Sequence, residues 1–120
     1  MTHKVTCHCG AVELEVTLAE PISQAARCDC LFCRRRAAAT LSVALDDLKI
    51  VKGAENLTLY QWNTNTAEHY FCRTCGIYTH HRRRVDPNYY GVNFGAIEGI
   101  SPDELRNTGW TDGINHPSDA

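Results

Sequence analysis

Seven cysteines in three tight sets constrain this 120-residue chain more than any other feature: Cys7-x-Cys9, Cys28-x-Cys30-x2-Cys33 and Cys72-x2-Cys75. An odd count disfavours a fully paired disulfide framework. Thiols spaced by one or two residues read instead as metal ligands in a reducing compartment. Two of the sets end in Cys-Gly, at Cys9–Gly10 and Cys75–Gly76. Glycine after a ligand permits the left-handed turn that aims backbone N–H groups at the sulfur. The middle set ends in Cys33–Arg34 and has no such glycine. The spacing therefore pairs the two Cys-Gly sets as a closed four-thiolate zinc site of Cys7, Cys9, Cys72 and Cys75. Cys28, Cys30 and Cys33 are left with one coordination position to fill, the arrangement of an open zinc site. The same triple could instead recruit His69, His80, His81 or another thiol and close, or hold no metal.

The chain has the length of one domain, residues 1–120, with an ordinary hydrophobic share of 43%. A net charge of −2 and a pI near 6.3 give no global pull toward nucleic acid or a membrane surface. Six of the twelve Lys and Arg residues are clustered at Arg34–Arg36 and Arg82–Arg84, just past Cys33 and Cys75. Such runs form either a solvated face or an anion-binding rim. No apolar signal core follows Met1, and no run approaches the ~18 apolar residues of a membrane span. The expectation is a cytoplasmic protein, with no oligomeric state assigned.

Alternation of apolar and polar residues dominates. Val12, Leu14 and Val16 alternate with Glu13, Glu15 and Thr17, and Leu41, Val43 and Leu45 with their polar neighbours. Further short strands are predicted over 49–53, 57–62, 67–72, 77–81 and 89–94. Turns are predicted at Asp46–Leu48, Asn63–Thr66 and Val85–Asn88. Ala37–Ala39 could prolong a short helical turn after the arginines. Ser101–Glu104 reads as a capping box with proline at the first helical position, opening one short helix. Residues 107–120 read as a loop-like tail anchored by Trp110. The fold class is mainly β, with roughly 7–9 short strands.

Taken together, Cys7–Glu13, the Cys28, Cys30, Cys33 and Arg34 set, Phe71–Gly76, and Tyr90–Asn93 through Glu98–Gly99 resemble the glutathione-dependent formaldehyde-activating family. Its zinc domain is shared with centromere protein V. The resemblance implies a β-tent zinc fold of packed antiparallel sheets with one or two short helical turns. It implies structural zinc on Cys7, Cys9, Cys72 and Cys75, and a second, catalytic zinc on Cys28, Cys30 and Cys33. It also implies a carbon–sulfur lyase reaction run in reverse, with glutathione as co-substrate adding its thiol to formaldehyde. Glutathione brings two carboxylates, which Arg34, Arg35 or Arg82 could pair by bidentate bonds, with His80 beside them as a substrate contact. The alternative is a non-catalytic zinc-stabilised binding module on the same fold. Methionine sulfoxide reductase chemistry would want a late nucleophilic cysteine, and none follows Cys75.

Overall fold

A computed structural model describes residues 2–62, 64–84, 86–106 and 108–112. Among these residues lie ten strands: β1 (Thr2–Thr6), β2 (Glu13–Thr17), β3 (Arg27–Cys28), β4 (Thr40–Ala44), β5 (Leu48–Lys52), β6 (Leu57–Tyr60), β7 (Glu68–Cys72), β8 (Tyr78–Arg82), β9 (Tyr89–Asn93) and β10 (Trp110–Thr111). One α-helix, α1 (Leu31–Arg36), joins β3 to β4, and the remaining helical segments are single 3-10 turns. The protein is mainly β, built from antiparallel sheets.

The larger sheet has the order β4-β9-β8-β7-β6, and the smaller one β1-β2-β5. The period-two pattern of the sequence sets which face of each meets the core. Leu14 and Val16 of β2 are sealed from solvent, as are Leu41 and Val43 of β4. They meet Val5, Val12, Val92 and Phe94 in one shared core. Each such side chain contributes about 1.5–3 kcal/mol by leaving water. The smaller sheet is also tied through the backbone to the segment that follows β9, by the Val5–Ile97 bridge and the Glu98 N–H donating to the Lys4 carbonyl at 2.8 Å. No helix among the described residues is long and apolar enough to cross a membrane.

Three local expectations change. Ala37–Ala39 do not prolong a helix: Ala37 adopts a left-handed φ of 56°, its N–H closing on the Cys33 carbonyl at 2.8 Å. Ala39 is then free to accept from the Phe94 N–H at 2.9 Å and lead into β4. The helix expected after Ser101 is one 3-10 turn, Pro102–Leu105, capped by the Ser101 hydroxyl on the Asp103 N–H. The tail is not wholly loop-like, because β10 pairs in parallel with β3, Trp110 opposite Arg27 and Thr111 opposite Cys28. The Arg27 guanidinium lies 5.8 Å from the Trp110 ring centroid. Asn63 and Val85, read as turn residues, and residues 107 and 113–120 of the tail lie outside the described residues.

One close approach in the larger sheet bears on the site. A Cβ on Gly91 of β9 would lie 2.5 Å from Cε1 of His81 on β8. The imidazole occupies the volume that any other residue would need. Gly91→Ala should therefore destabilise the domain by about 1–3 kcal/mol through overpacking, read as a lower urea midpoint. An unchanged midpoint would show that the His81 ring can move aside freely.

Candidate functional site

The first thiol cluster forms where two turns meet. Gly10 (φ 80°) and Gly76 (φ 79°) both take the left-handed conformation that the Cys-Gly spacing called for. These turns bring Cys7 and Cys9 against Cys72 and Cys75 with all four sulfurs within 4.8 Å of one another. Cys9 Sγ lies 3.6 Å from both Cys7 Sγ and Cys72 Sγ. A zinc tetrahedron with Zn–S bonds of ~2.3 Å has edges of ~3.8 Å, so the donor set fits that ion. The Val12 N–H points at Cys7 Sγ and the Asn56 side-chain amide at Cys72 Sγ, each at 3.3 Å. Such donors offset thiolate charge.

The second cluster is assembled by α1. Cys30 is the N-cap, its sulfur accepting from the Cys33 N–H at 3.3 Å. Cys33 sits in the helix and Cys28 at the end of β3, and the three sulfurs lie within 4.8 Å of one another. No histidine or carboxylate ligand atom joins them within that distance among the described residues.

The two clusters differ in what they face. Cys28, Cys30 and Cys33 line a cavity of about 700 Å³, whereas none of Cys7, Cys9, Cys72 and Cys75 does. Phe32, Trp62 and Tyr89 contribute apolar wall, and Arg36, Arg83, Arg84, His69 and His81 the basic and imidazole groups. Glu20 also faces it, its carboxylate held by the Ser42 N–H at 2.9 Å.

Arg36 ties the thiols to the histidines. Its guanidinium carbon lies 3.5 Å from the Tyr78 ring centroid and 4.8 Å from that of Phe32. One terminal nitrogen contacts Cys33 Sγ at 3.8 Å and the other His69 Nδ1 at 3.2 Å. His69 and His81 are cross-strand partners on β7 and β8 and stack at 5.0 Å. The Tyr78 hydroxyl lies 2.5 Å from His81 Nδ1.

The arginines and histidine singled out in the sequence lie elsewhere. Arg34 and Arg35 are exposed, and Arg35 turns back to the Leu31 carbonyl at 2.6 Å. Arg82 donates to the Pro87 carbonyl at 2.8 Å. His80 is buried against Tyr70, with Nδ1 2.8 Å from the Thr79 hydroxyl. None of the four lines the cavity. Two periodicities carry the signal for those that do. Arg36 is three residues past Cys33, on the same helical face. Along β8, His81 and the following Arg83 share one face, and His80 and Arg82 the other.

Burial makes these histidines reluctant to charge. It lowers His80 from the usual 6.5 to about 4. Burial, with the charges of Arg36 and Arg84, brings His69 to about 4, and His81 is held well below 6.5 by burial and then Arg36. Between pH 6.5 and about 4 the unfolded chain therefore binds more protons than the folded one. Their contribution to stability is complete above pH 6.5 and is lost as pH falls toward 4, at up to ~1.4 kcal/mol per pH unit for each residue. His80→Gln should flatten the acid limb of unfolding free energy by about one such increment. An unchanged slope across that window would mean that His80 titrates normally in the fold.

Comparison with known proteins agrees with this architecture. The profile of the glutathione-dependent formaldehyde-activating enzyme family matches residues 2–111. A Halomonas elongata protein, provisionally named as such an enzyme, is 38% identical over 79 residues, covering 58% of this chain and 49% of its own. An Emericella nidulans protein with the same provisional name is 25% identical over 99 residues, covering 79% of this chain and 50% of its own. The chain thus spans about half the length of these curated relatives. The crystal structure of a Rhodobacter sphaeroides protein superposes with a TM-score of 0.87 at 59% identity, covering 90% of this chain and 99% of that one. The family profile spans all three cysteine sets, and the chain belongs to the glutathione-dependent formaldehyde-activating enzyme family.

Proposed function

We propose that this protein is a zinc-dependent enzyme of the carbon–sulfur lyase type, joining the glutathione thiol to formaldehyde to give S-(hydroxymethyl)glutathione. The observation that carries this reading is the position of the three-thiol cluster on the wall of the 700 Å³ cavity, with the four-thiol cluster outside it. Cys7, Cys9, Cys72 and Cys75 would hold structural zinc, and Cys28, Cys30 and Cys33 the second ion. Bound at the triple, zinc would supply Lewis acidity and lower the pKa of a thiol brought to it. Seven cysteines that remain thiols fit a reducing compartment such as the cytoplasm.

The chain's own residues account for substrate recognition. A cavity of this size suits a small tripeptide. Arg83 lines it with a buried Nε that has no hydrogen-bond partner, and Arg84 stands beside it on the wall. A buried unpaired donor costs about 1–3 kcal/mol, and a substrate carboxylate would remove that cost. Phe32 and Trp62 add apolar wall beside the thiols, and a polar contact made away from water is the stronger for it.

The metal assignment divides the cysteines by consequence. Cys72→Ser should lose zinc and largely unfold the domain, since structural zinc supplies on the order of 10 kcal/mol of folding energy. Cys30→Ser should lose about one further ion while keeping the β-rich circular dichroism spectrum. Equal unfolding in both variants would make both clusters structural and remove the support for catalysis.

Substrate recognition has its own test. Titrating glutathione into zinc-loaded protein should show binding that Arg83→Ala weakens about 10- to 150-fold, the loss of one charge-assisted pair. Magnetic resonance then follows adduct formation with formaldehyde against the spontaneous background. Binding without acceleration would leave a zinc-stabilised binding module as the better description.

A further inference from the structure

His69 is packed against three neighbours. Phe32 covers it at 4.5 Å between centroids and His81 stacks at 5.0 Å. Arg36 occupies Nδ1 at 3.2 Å. A guanidinium has only donors, so Nδ1 accepts. A neutral imidazole with an accepting Nδ1 carries its proton on Nε2. The ring is 5% exposed and forms part of the cavity wall that also holds Cys28, Cys30 and Cys33. His81 takes the other tautomer: the Tyr78 hydroxyl donates to the Gly91 carbonyl at 3.2 Å, so its oxygen accepts from His81 Nδ1–H and Nε2 carries no proton.

We infer that His69, locked by Arg36 as the Nε2–H tautomer, is a catalytic hydrogen-bond donor to the aldehyde oxygen as that oxygen becomes the hydroxyl of the adduct. This rests on reading the cavity as the place where a thiol adds to an aldehyde. In that addition a sulfur–carbon bond forms, and the carbon–oxygen π bond breaks with its electron pair moving to oxygen. The thiol proton leaves to solvent and the oxygen takes one from solvent, with no change of oxidation state. The Nε2 proton stays on the ring throughout. Its work is to stabilise charge developing on oxygen, from a position fixed before substrate arrives. A neutral imidazole suits this role, and burial together with Arg36 keeps His69 uncharged at neutral pH.

Two measurements test it. In the zinc-loaded 120-residue chain with 15N-labelled histidine, long-range proton–nitrogen correlation at pH 7 should show His69 with a protonated Nε2 and a bare Nδ1. A protonated Nδ1, or an imidazolium, overturns the inference without reference to any reaction. In the glutathione–formaldehyde assay, His69→Phe should slow the catalysed rate about 10²–10³-fold, mainly in kcat, as for removal of one oxyanion donor. His69→Gln, which keeps an N–H, should recover part of that loss. Zinc content and circular dichroism establish that each variant is folded, and should His69→Phe not fold, the tautomer in the wild type decides. An active wild type matched by His69→Phe overturns the inference alone. A wild type no faster than the spontaneous reaction overturns the functional reading, and the inference with it.

Discussion

The structure depends on four sulfurs brought together from two turns more than sixty residues apart in sequence. Cys7 and Cys9 follow β1 of the smaller sheet, and Cys72 and Cys75 lie at the end of β7 in the larger one. A chain of 120 residues buries a modest core. A cross-link between sheets therefore has disproportionate leverage. Thiolates this close repel one another unless a cation and N–H donors offset their charge. The donors are present in the Val12 amide and the Asn56 side chain. Fixing the end of β7 also fixes the β7–β8 hairpin, which carries His69 and His81. The four-sulfur cluster thus lies at the base of one wall of the cavity without lining it.

The opposite wall comes from α1, a helix of six residues. A helix this short has little stability of its own. It is held by the Cys30 cap, by three arginines in its last turn that complement its dipole, and by Phe32 packing on Tyr60, Trp62 and His69. Several of the residues that stabilise this helix also line the cavity. Cys30 and Cys33 present sulfur, Arg36 spans from thiol to imidazole, and Phe32 closes one side.

Features with a strict local period were legible in the sequence. The alternation in β2 and β4 marks the core face correctly, because one face of each sheet is buried and a one-residue slip would invert it. The Cys-Gly pairs marked both left-handed turns, and the cysteine division follows from them. What required the structure was the direction of basic side chains. Arg34, Arg35 and Arg36 are indistinguishable by composition, yet a helix turns 100° per residue and only Arg36 shares the Cys33 face. Arg82 ends β8 and Arg83 follows it, so by the alternation of extended chain they point to opposite faces. Ala37–Ala39 favour helix intrinsically, but Ala37 turns left-handed, and Thr40 just beyond them pairs with Asn93 of β9 and bridges to Ala26, so the segment leads out of the helix into β4. The pairing of β10 with β3 is carried by backbone groups, which leave no side-chain pattern to read.

Charge separates the two clusters further. Four thiolates around a divalent ion would sum to −2, against which the Val12 and Asn56 amides donate. Three thiolates with a dication sum to −1, and the Arg36 guanidinium against Cys33 brings that centre to zero. A neutral centre does not repel an anionic ligand, whereas a dianionic one does. Burying a guanidinium is costly; the faces of Tyr78 and Phe32 and the His69 nitrogen offset part of that cost, while the Arg36 Nε stays buried without a hydrogen-bond partner. With a divalent ion in each, the three-thiol cluster would therefore be the less anionic of the two. Arg36 serves charge neutrality, aromatic packing and the His69 tautomer through a single side chain, and its removal would disturb all three together.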